Sequence, residues 1–177
     1  MTECQNTILA GPAKVTVAPL GATKEQGTSL GFTSGGVTIT KNTTKTPIRV
    51  DQSLLPIRHI TTEEELTVSI PLASITLANI EKAFNITLAT GTGMATINPE
   101  VYYQLWIDTK GVIDDNGVKA DREYYFAKVS FTSNDGLVLS STEAQTLTLE
   151  GYVVNCPDAD GQNEDFMSVT ETAPESL

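Results

Sequence analysis

The sequence has few of the residues on which catalysis, metal binding and membrane insertion usually depend. Its 177 residues include two cysteines, one histidine and one tryptophan. No apolar run approaches the roughly 18 residues that a membrane-spanning helix needs, and the first residues show no basic start followed by an apolar stretch. We therefore expect neither a membrane anchor nor a cleaved export signal. Without export, Cys4 and Cys156 are expected to remain free thiols.

Basic residues are also scarce, with 11 Lys and Arg against 22 Asp and Glu, for a net charge of −11. Such a chain is repelled by phosphate backbones and by anionic lipid, which disfavours a basic-patch nucleic-acid binder or a membrane-surface protein. The acidity is concentrated after Lys128, where residues 129–177 hold nine acids and no base. An acidic terminus that serves only solubility is the simpler interpretation of any single carboxylate there.

Motifs that carry chemistry are missing or incomplete. Residues 27–31 read G-T-S-L-G, with Ser29 at the nucleophile position, but no helix follows to form the required elbow. His59, the lone histidine, lies in a polar stretch, where an imidazole is usually an ordinary surface residue. Residues 112–123 match a calcium loop in part, although a hairpin turn explains them more simply. We predict that the protein is not an enzyme and holds no cofactor or metal.

Short runs rich in Val, Ile and Thr predict β-strands, since these residues favour a pleated, half-buried surface. In the run at 122–131, alternation predicts one face made of Tyr125, Ala127, Val129 and Phe131. Turn sequences at 114–117 and 133–136 predict hairpins, and hence antiparallel pairing. The predicted strands cover residues 14–18, 36–40, 47–51, 66–72, 101–108, 122–131, 137–140 and 145–154.

One segment, residues 74–85, has helical rather than strand periodicity. Leu77, Ile80 and Phe84 recur at the spacing of one helix face, Ser74 is a suitable N-cap, and Asn79 is expected to face away. The sequence therefore predicts a mostly β fold over 1–177, an antiparallel β-sandwich or barrel with one flanking α-helix.

Three segments are unlike a core. Residues 1–12 and 155–177 are predicted to be extended terminal arms, and residues 41–65 a long polar loop. A loop with basic and acidic ends suits a contact with another copy of the chain, although a solvated loop is an equally simple interpretation. The candidate interface residues are Lys41, Lys45, Arg49, Arg58, Glu63, Glu64 and Glu65.

The stretch from Gly31 to Asn85 resembles the major tail tube proteins of tailed bacteriophages. The resemblance depends on "GFTSGGVTIT", then "VDQS" and "PI", an acidic run entering an alternating strand, and a helix directly after "PLAS". It covers about a third of the chain. It implies a small β-sandwich or barrel with one helix, in agreement with the reading from periodicity.

The resemblance also implies a function. Family subunits form hexameric rings whose sheets join into an inner β-barrel, and the rings stack into a tube in the virion tail, assembled in the host cytoplasm. The implied partners are further copies of the chain, the tape-measure protein, and the tail terminator and distal tail proteins. Residues 41–65 match the segment that contacts the adjacent ring, and the terminal arms match segments that reach neighbouring subunits.

A tube that conducts DNA must not hold it, so carboxylates and small hydroxyls are the expected lining of its lumen. Thr-rich strands offer such a face, and the candidate lumen residues are Thr38, Thr40, Thr146, Thr148 and Glu150. Three alternatives remain. They are another virion component such as a decoration protein or tail adaptor, a β-sandwich binding module using Trp106, Tyr102 and Tyr124, and a small hydrolase using Ser29.

Overall fold

The structure, a computed structural model, describes residues 13–49, 55–89, 95–113, 119–133, 147–155 and 167–172. Within these ranges lie ten strands, one α-helix and a short 3₁₀ helix, Lys24–Gln26. The α-helix, α1, is Leu77–Phe84. The strands are β1 Ala13–Pro19, β2 Thr28–Ser29, β3 Thr38–Ile48, β4 Arg58–Leu72, β5 Ile86–Leu88, β6 Ala95–Ile97, β7 Tyr102–Ile113, β8 Lys119–Thr132, β9 Leu147–Val153 and β10 Met167–Thr172.

Eight strands form one antiparallel sheet. Seven follow the order β2-β1-β7-β8-β9-β4-β3, and β10 pairs with β8 beside the end of β9. Strands β5 and β6 form a separate two-stranded sheet next to α1. The prediction of a mostly β, antiparallel fold with one flanking helix is confirmed.

Residues 28–34 link the two sides of the large sheet and close it at one end. The N–H of Leu30 donates to the carbonyl of Val15 in β1, at 3.0 Å. Three residues later, Thr33 pairs with Leu72 of β4, and the N–H of Ser34 donates to Pro71 O at 2.8 Å. A single short segment therefore satisfies backbone groups of both β1 and β4, and the sheet curves around its apolar face.

That apolar face is the core of the protein. It is built from alternate residues of β1, β4, β7, β8 and β9, as period-two alternation requires. The predicted strands at 101–108 and 145–154 contribute Leu105, Ile107, Leu147 and Leu149 to it. The buried members are Val15, Val17, Leu30, Val68, Ile70, Leu72, Ala83, Leu105, Ile107, Phe126, Val129, Phe131, Leu147 and Leu149.

Strand β8 changes its inward face halfway along, so the face predicted for residues 122–131 was partly wrong. Ala127 and Lys128 together oppose a single residue of β7, because the register shifts between the pairs Tyr103–Val129 and Leu105–Phe126. This β-bulge moves the inward positions from even to odd residue numbers. Phe126 is therefore fully buried, whereas the predicted Tyr125 stacks on Trp106 across the opposite face, at 5.1 Å between ring centroids.

The helix is shorter than predicted, and of the predicted apolar stripe only Ile80 packs against the core. Thr76, not Ser74, is the N-cap, and its hydroxyl accepts a hydrogen bond from the N–H of Asn79. Leu77 of the predicted apolar stripe is 69% exposed and Phe84 is 39% exposed, while the buried helix residues are Asn79 and Ala83.

Asn79 was expected to face away from the sheet. Its side chain instead links α1 to the large sheet through hydrogen bonds. Its Nδ2 donates to the carbonyl of Leu30 at 3.0 Å and to that of Ser74 at 2.9 Å. Both carbonyls obtain a partner from a side chain that is only 3% exposed. This requirement turns α1 so that Asn79, Ile80 and Ala83, rather than Leu77, meet the sheet.

Residues 41–65 were predicted to be a loop, and this was wrong for residues 41–48 and 58–65, while residues 50–54 lie outside the described part of the chain. Residues 41–48 and 58–66 pair as the outer parts of β3 and β4, with a bulge between Thr44 and Lys45. We call this part the distal hairpin; its length is about 30 Å at 3.3 Å a residue. All its residues are exposed except the partly buried Leu66. Within the described residues, the outer part of β4 pairs with β3 alone.

Several predicted segments lie wholly or partly outside the described residues. Residues 1–12 lie outside the described part of the chain, as do the turn at 114–117 and the predicted strand at 137–140. Strands β7 and β8 on either side of 114–117 do pair in antiparallel fashion. The predicted arm 155–177 was wrong for residues 167–172, which form β10 and join the sheet, and residues 156–166 and 173–177 lie outside the described part of the chain.

The packing of α1 gives a direct test. Changing Asn79→Ala leaves the carbonyls of Leu30 and Ser74 without their partner, so we expect the free energy of unfolding to fall by about 1–3 kcal/mol. The measurement is urea unfolding followed by circular dichroism.

The matched variant on the same helix is Leu77→Ala, which truncates an exposed side chain and should change stability by less than about 0.5 kcal/mol. A larger loss for Leu77→Ala than for Asn79→Ala would contradict this orientation of α1.

Candidate functional site

The sheet has a second face, opposite the core, where β3, β4, β9 and the end of β8 present polar side chains in rows. One row runs from Thr38 to Ser69 and Glu150 and on to Thr132. The next row consists of Thr40, Thr67, Tyr152 and Ser130, in the same strand order. We call this surface the hydroxyl face. Its members are Thr38, Thr40, Asn42, Glu65, Thr67, Ser69, Ser130, Thr132, Thr148, Glu150 and Tyr152.

The hydroxyl face carries two carboxylates and no base among its members. The hydroxyl of Tyr152 donates to Glu150 Oε2 at 3.3 Å. A shallow recess of about 240 Å³ lies between β3, β4 and β9 and is lined by Asn42, Glu65 and Glu150, among others. At the border of this surface, Lys128 Nζ lies 4.2 Å from the ring centroid of Tyr102, which pairs with Ser130. The surface is thus hydrophilic and weakly anionic.

Four of the five predicted lumen residues lie on this face. Thr38 and Thr40 of β3 and Thr148 and Glu150 of β9 are brought onto one surface because both strands pair with β4. Thr146 lies outside the described residues. Sequence reasoning missed the contribution of β4, although alternation in residues 66–72 already placed Thr67 and Ser69 opposite the apolar positions.

The predicted interface residues lie along the distal hairpin, with the three glutamates and Lys41 at its body end and the other basic residues farther out. Glu63, Glu64 and Glu65 lie toward the body of the sheet, whereas Lys45 and Arg58 lie toward the tip. Lys41 Nζ is 3.1 Å from Glu64 Oε2, an exposed pair of small energetic value. Arg49 follows the end of β3 at the tip.

The tip of the distal hairpin is also apolar, which sequence reasoning missed. Four large aliphatic side chains are solvent-exposed there, between 40% and 75% of their surface. The N–H of Ile57 donates to the carbonyl of Ile48 at 2.9 Å, so the two strands remain joined at this level. The four residues are Ile48, Leu55, Ile57 and Ile60.

The residues considered for catalysis or calcium have other contacts. Ser29 Oγ accepts a hydrogen bond from the N–H of Gly31 at 3.3 Å, and β2 leads into a loop. His59 lies on the exposed distal hairpin opposite Pro47. Glu123, the last candidate calcium ligand, pairs with Lys24. In the described ranges, no three His, Cys, Asp or Glu side chains come together as a metal site.

Two open clefts lie beside β1 and β2. One, of about 460 Å³, is lined by Lys14, Thr16, Lys24, Glu25, Gly27 and Ser29. The other, of about 400 Å³, includes Phe32, Asp108 and Lys110. Both are shallow surface features, and Lys24, which lines the first cleft, already has two carboxylate partners.

Lys24, in the segment before β2, forms ion pairs with one carboxylate of β7 and one of β8. Its Nζ lies 2.6 Å from Asp108 Oδ1 and also contacts Glu123 Oε2. Asp108 and Glu123 are direct cross-strand neighbours, so without the ammonium between them two like charges would face each other. Burial of Lys24 acts to lower its pKa, but the hydrogen bonds and charges of the two carboxylates raise the pKa above its ordinary value.

Comparison with known proteins adds no relative to this description. No protein-family model matches the chain, and no curated protein matches it significantly in sequence. Among the described residues, no helix has the length and hydrophobicity that crossing a bilayer requires.

The Lys24 contacts predict a defined dependence of stability on pH. Because the pKa of Lys24 is raised from 10.5, its contribution is constant from neutral pH to about pH 10 and is lost as the pH rises through the raised value. At neutral pH, Lys24→Met should lower the free energy of unfolding by about 1–2 kcal/mol, with the two carboxylates left facing each other. Above about pH 10.5 the difference between the two proteins should narrow.

Lys45→Met, which removes an exposed lysine on the distal hairpin, is the control and should change stability little. Equal effects of the two substitutions in unfolding experiments at pH 7 would show that the Lys24 contacts contribute nothing.

Proposed function

We propose that this chain is the major structural subunit of a phage tail tube, which assembles into stacked hexameric rings and forms the conduit for genome ejection. The observation that carries the proposal is the hydroxyl face, where four residues nominated from sequence for the lumen share one anionic surface. The sheet that presents this face also extends the distal hairpin, whose tip is apolar and exposed.

The hydroxyl face suits the lining of a channel for DNA. Carboxylates such as Glu65 and Glu150 repel phosphates over a Debye length of about 8–10 Å, and hydroxyls keep the surface hydrated. Repetition of the face around a ring would multiply this repulsion. DNA would then pass through without specific binding.

The distal hairpin suits the contact between stacked rings. Four exposed aliphatic side chains at the tip of an otherwise polar hairpin form an apolar patch of the kind that marks an interface. Lys45 and Arg58 lie near that patch, and the rest of the chain is strongly acidic. The basic side chains near the tip of one subunit would therefore complement an acidic surface of another in charge.

Open strand edges suit assembly into a ring. Among the described residues, the outer edges of β3 and β10 and one edge of the distal part of β4 have no strand partner. Pairing between neighbouring subunits would satisfy such backbone groups and prevent uncontrolled aggregation. The proposed partners are thus other copies of the chain, together with the tape-measure, tail terminator and distal tail proteins, in the virion tail assembled in the host cytoplasm.

The alternative of a β-sandwich binding module receives little support. Its candidate aromatic residues have other contacts: Trp106 is 8% exposed and stacks on Tyr125, and Tyr124 packs against the core. Tyr102 has Lys128 over its ring and donates to Glu100. No observation favours a decoration protein or tail adaptor over the tube subunit.

The distal hairpin gives the test. Ile57→Thr with Ile60→Thr keeps the β-branched shape but makes the tip polar, and each apolar side chain contributes about 1–2 kcal/mol when buried in a contact. We expect the concentration needed for assembly to rise at least tenfold. Sedimentation velocity and negative-stain microscopy measure the assemblies, and circular dichroism checks the fold of the variant.

The matched control is Ile97→Thr, an identical change at a side chain that is 84% exposed and outside the hairpin. It should assemble like the unaltered protein. A monomeric unaltered protein at high concentration, or normal tubes from the double variant, would count against the proposal.

A further inference from the structure

Phe32 is an aromatic side chain that the protein holds in water. It is 82% exposed, the largest exposed fraction of any aromatic residue in the described ranges. Its backbone is held in place, because the N–H of Ala73 donates to the carbonyl of Phe32 at 2.9 Å and the next residue, Thr33, pairs with Leu72. A ring displayed on a fixed backbone loses little conformational freedom when it contacts a partner.

An open cleft of about 400 Å³ lies beside this ring. Phe32 and Ala13 form its apolar part, and Lys14 and Lys110 border it. The volume is within the range of ligand clefts, about 300–1,000 Å³. Its open shape suits a segment of chain that lies across the surface better than a small molecule that must be enclosed. The cleft thus combines an exposed ring with two ammonium groups.

The two lysines of the cleft are not neutralised by the protein itself. Among the described residues, the side chain of neither lysine has an ion-pair or hydrogen-bond partner. Asp108, the carboxylate that lines the same cleft, is already bonded to Lys24 at 2.6 Å. Lys14 and Lys110 therefore provide a local attraction for the carboxylates of a partner.

The cleft also lies at an open edge of the large sheet. Among the described strands, β2 pairs with β1 alone, and Ser29 of β2 lines the cleft. The backbone groups of a free edge can pair with an extended segment of another chain, while neighbouring pockets take its alternate side chains. Because β2 is only two residues long, the cleft must supply most of the affinity.

A nucleic acid would also be attracted by two lysines and an exposed ring, but two features favour a peptide. The net charge of −11 repels a long polyanion, whereas a short acidic segment brings only a few charges. A free strand edge pairs with a peptide backbone and has no such complement in a sugar-phosphate chain.

We propose that Ser29, Phe32, Lys14 and Lys110 form a docking surface for an extended acidic segment of a partner protein, the β2-edge cleft. An apolar side chain of that segment packs on Phe32, and carboxylates on either side of it contact Lys14 and Lys110. The β2-edge cleft has no part in the proposed tube contacts, so docking does not depend on self-assembly.

Binding of a synthetic peptide tests the docking. The probe is a fluorescein-labelled peptide with one central leucine and two glutamates on each side, added to the full-length protein and followed by fluorescence anisotropy. Phe32→Ala should weaken binding about tenfold, because the leucine loses its apolar contact. Lys14→Gln with Lys110→Gln should weaken it about fivefold at low salt, and by less in about 0.15 M salt.

Matched variants and peptides control for unspecific attraction. Leu77→Ala removes another exposed apolar side chain, and Lys45→Gln removes an exposed lysine of the distal hairpin, so both should bind the probe within about twofold of the unaltered protein. A peptide with glutamines for glutamates should bind about fivefold more weakly. A peptide with methylated backbone nitrogens should also bind more weakly, since it cannot pair with the β2 edge. Circular dichroism checks the fold of each variant.

The possible results distinguish this docking from its alternatives. No binding of the probe, or equal losses for Lys45→Gln and the Lys14/Lys110 double variant, would overturn the proposal. Tighter binding of a single-stranded oligothymidine through the same residues would show a nucleic-acid site and overturn it as well. If Phe32→Ala abolishes rings or tubes while the probe fails to bind, the surface is a contact between copies and the proposal is wrong. Peptide binding by a chain that stays monomeric would support the docking and contradict the tube.

Discussion

Backbone hydrogen bonding is the constraint on which the rest of this structure depends. Every strand carries donors and acceptors on both edges, and each group that is removed from water needs a partner. At one end of the large sheet, residues 28–34 meet this need by joining β1 to β4 through backbone hydrogen bonds, which closes the sheet there. At the other end, the described strands β3, β4 and β10 extend beyond their neighbours and keep unpaired edges. The closed end holds the core, and the open end is the part suited to other copies.

The same alternation that buries the core creates the hydroxyl face. When Val68 and Ile70 point inward, Thr67 and Ser69 must point to the opposite side, and β9 repeats the arrangement with Leu149 beside Glu150. A fold whose inner face is apolar therefore obtains a continuous polar lining on its other face.

Sequence periodicity predicted the strands in which apolar and polar residues alternate strictly. It missed the features that depend on a local change of register or orientation. The strands β1, β7 and β9 were recognisable because apolar and polar residues alternate within them. Strand β8 does not follow a strict period of two, because one extra residue at Ala127–Lys128 shifts the inward-facing positions from even to odd residue numbers. The helix face was misjudged because two hydrogen bonds of Asn79 outweigh the apolar stripe that includes Leu77. The distal hairpin lacks alternation because both of its faces are exposed, and only its Thr-rich composition hinted at strands.

The central claim, that the hydroxyl face lines a channel built from identical subunits, is tested most directly by electron cryomicroscopy of assemblies grown from the purified chain. The account predicts rings whose bore is lined by the side chains of Thr40, Thr148 and Glu150, with distal hairpins between successive rings. Assemblies that place these three residues on the outer surface would contradict it, as would a chain that stays monomeric.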